Sequence, residues 1–153
     1  IGDGNILIID TGSTLNGYYC DFDRNFGFGN INQKSLDAYN KLWDATEKTL
    51  EIIKPGISCK EVYESLSKNL FSNNVKSSVG RMGHGFGLQL TEPPSIMIDD
   101  NTILEKNMIL ALEPSIEIEN DLILVHEENI LITQNGNRLL SSRTPKELPI
   151  INF

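Results

Sequence analysis

The chain has 153 residues, enough for one domain with a hydrophobic core and too few for two comfortable ones. Its formal net charge is −8, and no basic cluster is longer than one or two residues. We therefore expect neither nucleic acid nor an anionic membrane surface as a partner.

The sequence contains few signals of the cellular compartment. No apolar run approaches the ~20 residues of a transmembrane span, and no signal-peptide pattern opens the sequence. Two isolated cysteines, Cys20 and Cys59, favour a reducing compartment over a disulfide between them, so we expect a cytoplasmic protein. The chain opens on Ile1 without a methionine and runs straight into an apolar segment. We interpret it as a piece of a longer protein.

The first predicted element is a hairpin that carries two carboxylates. An apolar run at residues 6–9 ends on Asp10, and a second β-rich segment after Gly17 leads to Asp21. The Asn16-Gly17 pair favours a tight turn, which would bring both carboxylates into one neighbourhood. Aspartate is a poor strand residue, so we interpret these two as ligands of a bound metal.

Two helices follow the hairpin. Apolar side chains at helical spacing predict one over residues 30–54, capped by Asn30 or Asn32 and stopped by Pro55-Gly56. Ser58 and Glu61 form a capping-box pattern that opens a second helix ending at about residue 71. Residues 72–83 read as a loop.

The second half of the chain is predicted to be β-rich. A short strand is expected at residues 86–90, ended by the Pro93-Pro94 turn. Further strands are predicted at residues 108–118, 122–126, 129–133 and 138–140, followed by a tail on the surface. Strands grouped around two helices predict an α+β fold in which the helices cover one face of a curved antiparallel sheet.

Five candidate metal ligands lie in apolar or glycine-rich β contexts: Asp10, Asp21, His84, Glu113 and Glu127. Each alone has an ordinary explanation as a turn, loop, strand-end or edge residue. Residues 110–113 and 124–127, however, repeat the pattern of the first hairpin, in which an apolar strand ends on a carboxylate. We therefore expect the five side chains to converge.

Converging carboxylates need cations. Like charges about 4 Å apart cost on the order of 4 kcal/mol per pair at an effective dielectric constant of 20. Four carboxylates and one imidazole suit manganese, iron(II), cobalt or zinc better than a structural thiolate zinc site does, and we favour manganese. Five side chains exceed what one ion needs. We therefore expect two divalent ions that share bridging carboxylates and activate a water.

The order of the motifs resembles that of the pita-bread metallohydrolases, which include methionine aminopeptidase, Xaa-Pro aminopeptidase, prolidase and creatinase. The motifs are Ile-Asp-Thr-Gly at 9–12, Asp-Phe-Asp-Arg-Asn-Phe at 21–26, Gly-His-Gly-Phe-Gly-Leu at 83–88, Leu-Glu-Pro at 112–114 and Glu-Glu-Asn-Ile-Leu-Ile-Thr at 127–133. The resemblance implies the pita-bread fold. It also implies that residues 1–153 are a single catalytic-type domain, the C-terminal portion of the family's catalytic domain without its N-terminal portion.

The resemblance assigns a role to each candidate ligand. Asp10 would chelate one metal through both oxygens, and Asp21 and Glu127 would bridge the two ions. His84 and Glu113 would complete the second site, with Glu113 also moving a proton to or from the bridging water. Arg24, outside this ligand set, resembles a group that steadies a ligand carboxylate.

The chain departs from the family pattern at three positions. Thr91 stands where the peptidases have a second histidine, seven residues beyond His84, so either its hydroxyl replaces part of that imidazole's catalytic contribution or the substrate differs. Ser115 follows Glu113-Pro114 where glycine is usual, and Asp23 replaces serine or threonine. For the other histidine, His126, we favour a packing or hydrogen-bonding role over contact with the substrate.

Three functions follow from the resemblance. The first is a dinuclear-metal hydrolase of an amide or peptide bond, similar to Xaa-Pro aminopeptidase and dipeptidase. The second is a small-molecule relative, a creatinase-like hydrolase or a lyase, which Thr91 favours. The third is a non-catalytic binding module of the same fold, which retention of all five ligands disfavours. The expected partner is a small peptide or small-molecule substrate, a homodimer is left open, and weak turnover is expected of this chain alone.

Overall fold

A computed structural model of the chain describes residues 1–71, 80–119 and 122–152. Most of the loop predicted at residues 72–83 lies outside the described residues. Within the described ranges, no helix has the length and apolarity needed to cross a membrane.

The secondary structure begins with a hairpin of β1 (Ile6–Leu15) and β2 (Tyr18–Phe28), followed by helices α1 (Gln33–Ile52) and α2 (Cys59–Leu70). The remaining described strands are β3 (Gly83–Gly85), β4 (Glu92–Ser95), β5 (Ile109–Leu112), β6 (Ser115–Glu119), β7 (Leu122–Val125), β8 (Glu128–Ile132), β9 (Asn137–Leu139) and β10 (Ile150–Ile151). They form sheets in the orders β1-β2-β10, β4-β3-β5-β8-β9 and β6-β7. All strand pairs are antiparallel except β10 with β2.

The predicted hairpin is confirmed. Asn16 and Gly17 both have positive φ, 53° and 84°, as a tight two-residue turn requires. The resulting register places Asp10 directly opposite Asp23 and Gly12 opposite Asp21. The hairpin therefore carries three aspartates within a few residues of one another.

Both predicted helices are confirmed, with ends set by local hydrogen bonds. The side chain of Asn32 accepts the N–H of Ser35 and caps α1. Ser58 and Glu61 form the capping box of α2. Each cap satisfies an N–H group that the first helical turn leaves unpaired.

Two strand predictions are wrong. Residues 86–90 form no strand; the ladder instead uses β3 before them and β4 after them. The single strand predicted over residues 108–118 is interrupted at Glu113-Pro114 and divides into β5 and β6. Proline has no N–H to donate to a ladder, so pairing stops there.

The C-terminal segment is also more integrated than a surface tail. Gly27 donates its N–H to the carbonyl of Pro149 at 2.8 Å, and Ile150 and Ile151 pair with β2. Leu148 is 6% exposed and joins the core. The last residues therefore hold β2, the strand that carries Asp21.

One hydrophobic core joins the helices to the strands. Leu42 of α1, Leu66 of α2, Leu110 and Leu112 of β5, and Ile130 of β8 are fully buried in it. Burying a leucine or isoleucine side chain stabilises a fold by about 1.5–3 kcal/mol. This packing fixes β5 and β8 side by side, and each adjoins one of the candidate ligands.

Candidate metal centre

The register of the central sheet brings three candidate ligands to one face. Leu112 of β5 pairs with Glu128 of β8, so Glu113 and Glu127 face each other one step beyond that pair. His84 pairs with Ala111, two residues before Glu113. Since side chains alternate across a strand, these three candidates lie on the same face.

The hairpin adds Asp21 to that face. Asn129 of β8 donates its side-chain N–H to the main-chain carbonyl of Asp21, and Asn25 of β2 donates to the carbonyl of Val125 at 2.7 Å. These two amide groups tie β2 to the end of β7 and the start of β8. The sheet and the hairpin therefore share one acidic cleft.

The innermost group consists of Asp21, His84 and Glu127, whose ligand atoms all lie within 4.8 Å of one another. The Nε2 atom of His84 is 3.9 Å from Asp21 Oδ2 and 3.8 Å from Glu113 Oε1. Both distances are too long for hydrogen bonds. They are short enough for one metal ion to lie between the two atoms, with bonds of about 2.1 Å to each.

His84 is oriented as a ligand. The residue is 1% exposed, and Nδ1 lies 2.8 Å from the carbonyl oxygen of Gly85. A carbonyl can only accept, so Nδ1 carries the proton and the lone pair of Nε2 faces the carboxylates. A glycine is needed beside it, because a Cβ at position 85 would lie 2.5 Å from the carbonyl oxygen of Pro93.

Asp10 and Glu113 lie on the flanks of this group. Asp10 is exposed, and its charge adds to burial in raising the pKa of Asp21. Glu113 is partly buried, and its Oε1 is 3.0 Å from the guanidinium of Arg81. The structure thus brings all five candidates into one region, while their assignment as ligands stays a prediction.

Glu127 carries the strongest electrostatic signal. Its side chain is 3% exposed, and Oε1 has no hydrogen-bond partner among the described residues. Burial, followed by the charges of four neighbouring carboxylates, raises the pKa of Glu127 to about 9. Burial and Asp10 likewise raise the pKa of Asp23 to about 7. An unpaired buried oxygen among carboxylates is what a divalent cation would satisfy, so the donor set fits a metal.

Thr91, the other predicted catalytic residue, is exposed in the turn before β4. The next residue, Glu92, pairs with Gly85, which follows His84. Thr91 therefore lies near the histidine along the ladder. Among the described residues, no hydrogen bond joins it to the acidic group, and its catalytic role stays a prediction.

Two further residues have clear surroundings. His126 is 1% exposed and packs edge-on against the ring of Tyr39, with centroids 4.4 Å apart, in agreement with the packing role favoured from the sequence. Arg24 contacts the main-chain carbonyl of Glu127 at 3.1 Å and the carboxylate of Glu128 at 3.8 Å. It thus holds the backbone of a candidate ligand and approaches Glu128, a carboxylate outside the ligand set.

Sequence reasoning missed Arg81, which pairs with Glu113, and the buried position of Asp23. The signal for Asp23 was present, because alternate residues of a strand share a face and Asp21 lies two positions earlier. No local pattern pairs Arg81 with a residue 32 positions away.

Comparison with known proteins identifies the family of the chain. The model of metallopeptidase family M24 matches residues 1–134. The Xaa-Pro dipeptidase of Pyrococcus horikoshii is 33% identical over 147 residues, which are 95% of this chain and 41% of that protein.

Solved structures match as well. The prolidase of Pyrococcus furiosus superposes with a TM-score of 0.88 at 29% identity, covering 95% of this chain and 43% of that one. The Xaa-Pro dipeptidase of Bacillus anthracis gives 0.91 at 28% identity, covering 99% and 42%. The chain thus spans about two-fifths of the length of these relatives, and the predicted α+β pita-bread fold is confirmed. The chain belongs to metallopeptidase family M24.

Proposed function

We propose that this chain carries the metal centre of a dinuclear-metal hydrolase that cleaves an amide or peptide bond, similar to an Xaa-Pro aminopeptidase or dipeptidase. The observation that carries the proposal is the convergence of Asp21, His84 and Glu127 around a buried carboxylate oxygen with no partner. Membership of family M24 and likeness to Xaa-Pro dipeptidases support it.

The residues present fit two divalent ions, with manganese favoured among manganese, cobalt, iron and zinc. Asp10, Asp21 and Glu127 would hold one ion, and His84 and Glu113 would complete the second site with the same two bridging carboxylates. Ions bound there would supply Lewis acidity and lower the pKa of a water between them.

The chain's own side chains then divide the remaining tasks. Glu113 lies at the edge of the cleft, partly exposed, where it can take up or deliver a proton. Arg81 holds its Oε1 at 3.0–3.1 Å and so fixes the direction of the carboxylate. Thr91, which is exposed near His84 along the ladder, would contact the substrate.

Thr91 is also the observation that favours a second candidate, a small-molecule hydrolase or lyase with the same metals. A hydroxyl donates a weaker and shorter-reaching hydrogen bond than an imidazolium does. A binding module without catalysis is less favoured, because a buried set of unpaired carboxylates destabilises a scaffold that holds no cation.

The test of the proposal is metal analysis of the purified chain after manganese supplementation. We expect about two equivalents for the wild type and a loss in Asp21→Ala and Glu127→Ala. Glu117→Ala, which removes an exposed carboxylate of β6, is the matched control and should keep both equivalents. No stoichiometric metal in a folded wild-type chain would overturn the proposal.

A substrate screen separates the two catalytic candidates. Xaa-Pro dipeptides should be cleaved if the first holds, and small amides or betaines if the second holds. Thr91→His should raise peptidase activity if the missing imidazole is what weakens it. Turnover by the chain alone is expected to be weak, since the chain spans about two-fifths of its relatives' length.

A further inference from the structure

Asp23 lies on the same face of β2 as Asp21, because two residues separate them and side chains alternate along a strand. It sits directly across the ladder from Asp10. Directly opposed residues of an antiparallel pair have Cβ atoms about 5 Å apart on the same face. Asp23 therefore points into the acidic cleft beside Asp10.

The surroundings of Asp23 do not explain its charge. The side chain is 3% exposed, and its carboxylate accepts the main-chain N–H of Glu127. The other oxygen, Oδ1, has no partner among the described residues. The neighbouring Arg24 directs its guanidinium to main-chain carbonyls, including that of Asp23 itself. An asparagine would accept the same N–H without a buried charge.

We propose that Asp23 is a further carboxylate ligand of the metal centre, on the side of Asp10, so that the centre holds five carboxylates. The inference rests on the proposed function, since it concerns the same ions. It accounts for a buried oxygen of Asp23 that has no hydrogen-bond partner among the described residues, at the ladder position opposite Asp10. An additional oxygen ligand also favours a hard ion such as Mn²⁺ over one that prefers nitrogen and sulfur.

The experiment is calorimetric titration of the metal-free chain with Mn²⁺, comparing wild type with Asp23→Asn. This variant keeps the size of the side chain and the acceptor for the Glu127 N–H while removing the charge. We expect the dissociation constant of one of the two Mn²⁺ equivalents to rise at least about tenfold. Glu128→Gln is the matched control. It removes an equally buried carboxylate that is bound by Arg143, and we expect it to leave Mn²⁺ affinity unchanged.

Stability of the metal-free chain supplies a readout independent of metal. If Asp23 serves a cation, Asp23→Asn removes repulsion and raises the urea midpoint of the metal-free protein; if Asp23 serves only the fold, the midpoint falls. Should Asp23→Asn fail to fold, Asp23→Ser, with a smaller acceptor, takes its place in the titration.

The outcomes distinguish the two proposals. Unchanged Mn²⁺ affinity in folded Asp23→Asn, with two equivalents in the wild type, overturns this inference and leaves the proposed function standing. An equal loss of affinity in Glu128→Gln also overturns it, since the effect would then be general destabilisation. A folded wild type that binds no Mn²⁺ overturns both.

Discussion

Glu127 and Glu128 are neighbours in the chain, both at most 3% exposed, yet they lie in opposite electrostatic environments. Glu128 Oε1 accepts a hydrogen bond from Arg143 at 2.9 Å and another from the N–H of Thr144 at 2.8 Å. Glu127 Oε1 accepts none among the described residues and is surrounded by other carboxylates. Side chains alternate across a strand, so one residue of spacing separates a paired site from an unpaired one.

The paired side is closed by the protein itself. The guanidinium of Arg143 lies 4.8 Å from the ring centroid of Trp43, and it also donates to the Trp43 carbonyl at 3.2 Å. The chain thus supplies the cation that Glu128 needs and locks it against α1. On the other face no side-chain cation reaches Glu127 among the described residues. The difference supports the proposal that a cation from outside the chain balances the charge near Glu127.

The largest effect should come from removing the guanidinium of Arg143, the cation that the chain itself supplies to Glu128. Arg143→Met leaves Glu128 buried without its main partner, which costs about 3–5 kcal/mol in the free energy of unfolding. Urea denaturation measures the loss. The double variant Arg143→Met/Glu128→Gln should recover much of it, because no buried charge is left. A loss below about 1 kcal/mol in the single variant would show that the pair contributes little.

Bound Mn²⁺ should stabilise the chain through the face that carries Glu127. Mn²⁺ at a hundred times its dissociation constant should add about 2.7 kcal/mol to the unfolding free energy of the wild type. Glu127→Gln should lose most of this gain, since it removes a proposed metal ligand, while Glu128→Gln should retain it. Thermal unfolding with and without Mn²⁺ measures both. Equal responses in the two variants would contradict the contrast between the faces.

A pH series on the metal-free protein tests the same contrast between the surroundings of Glu127 and Glu128. The pKa of Glu127 is raised from 4.5 to about 9, so the folded chain retains a proton that the unfolded chain releases above about pH 4.5. Stability from this group is present below that pH and is lost as pH rises toward 9. Glu127→Gln should remove most of this decline, because the variant has no carboxyl group that titrates at this position. Parallel curves for the two proteins would exclude Glu127 as its source.

The smallest effect concerns a hydrogen bond beside the paired site. The hydroxyl of Tyr39 donates to the carbonyl of Pro145 at 2.6 Å, while its ring packs against His126. Tyr39→Phe keeps the ring and should reduce the unfolding free energy by about 1 kcal/mol. It should not alter Mn²⁺ affinity. A changed affinity would mean that the two faces are coupled.

Local signals predicted the parts of the fold that local hydrogen bonds determine. The Asn16-Gly17 turn and the Ser58 capping box each depend on residues close in sequence, and both are confirmed. The strand predicted over residues 86–90 failed because strand formation depends on neighbours. Residues 83–85 are poor strand formers by composition, yet Gly85 permits the close approach of β4 that builds the ladder.

For the candidate site too, local patterns predicted some residues, and the others depended on contacts between distant segments. Carboxylates within or just after β segments predicted Asp21 and Glu127 as part of one cluster, and the geometry brings these two together. The pairing of Glu128 with Arg143 escaped prediction, because it depends on the path of the C-terminal segment. The burial of Asp23 was not predicted for another reason. The residue was noted in the sequence, but its burial depends on the packing of β2 on β8.

The hydrogen bond between His84 Nδ1 and the Gly85 carbonyl has a thermodynamic consequence. The fold itself fixes the orientation of the imidazole, so an ion bound at the proposed site would not need to order this side chain. Preorganisation of this kind removes an entropic cost of roughly 0.5–1.5 kcal/mol from association. The histidine is therefore held by the fold in the orientation that the proposed metal site needs.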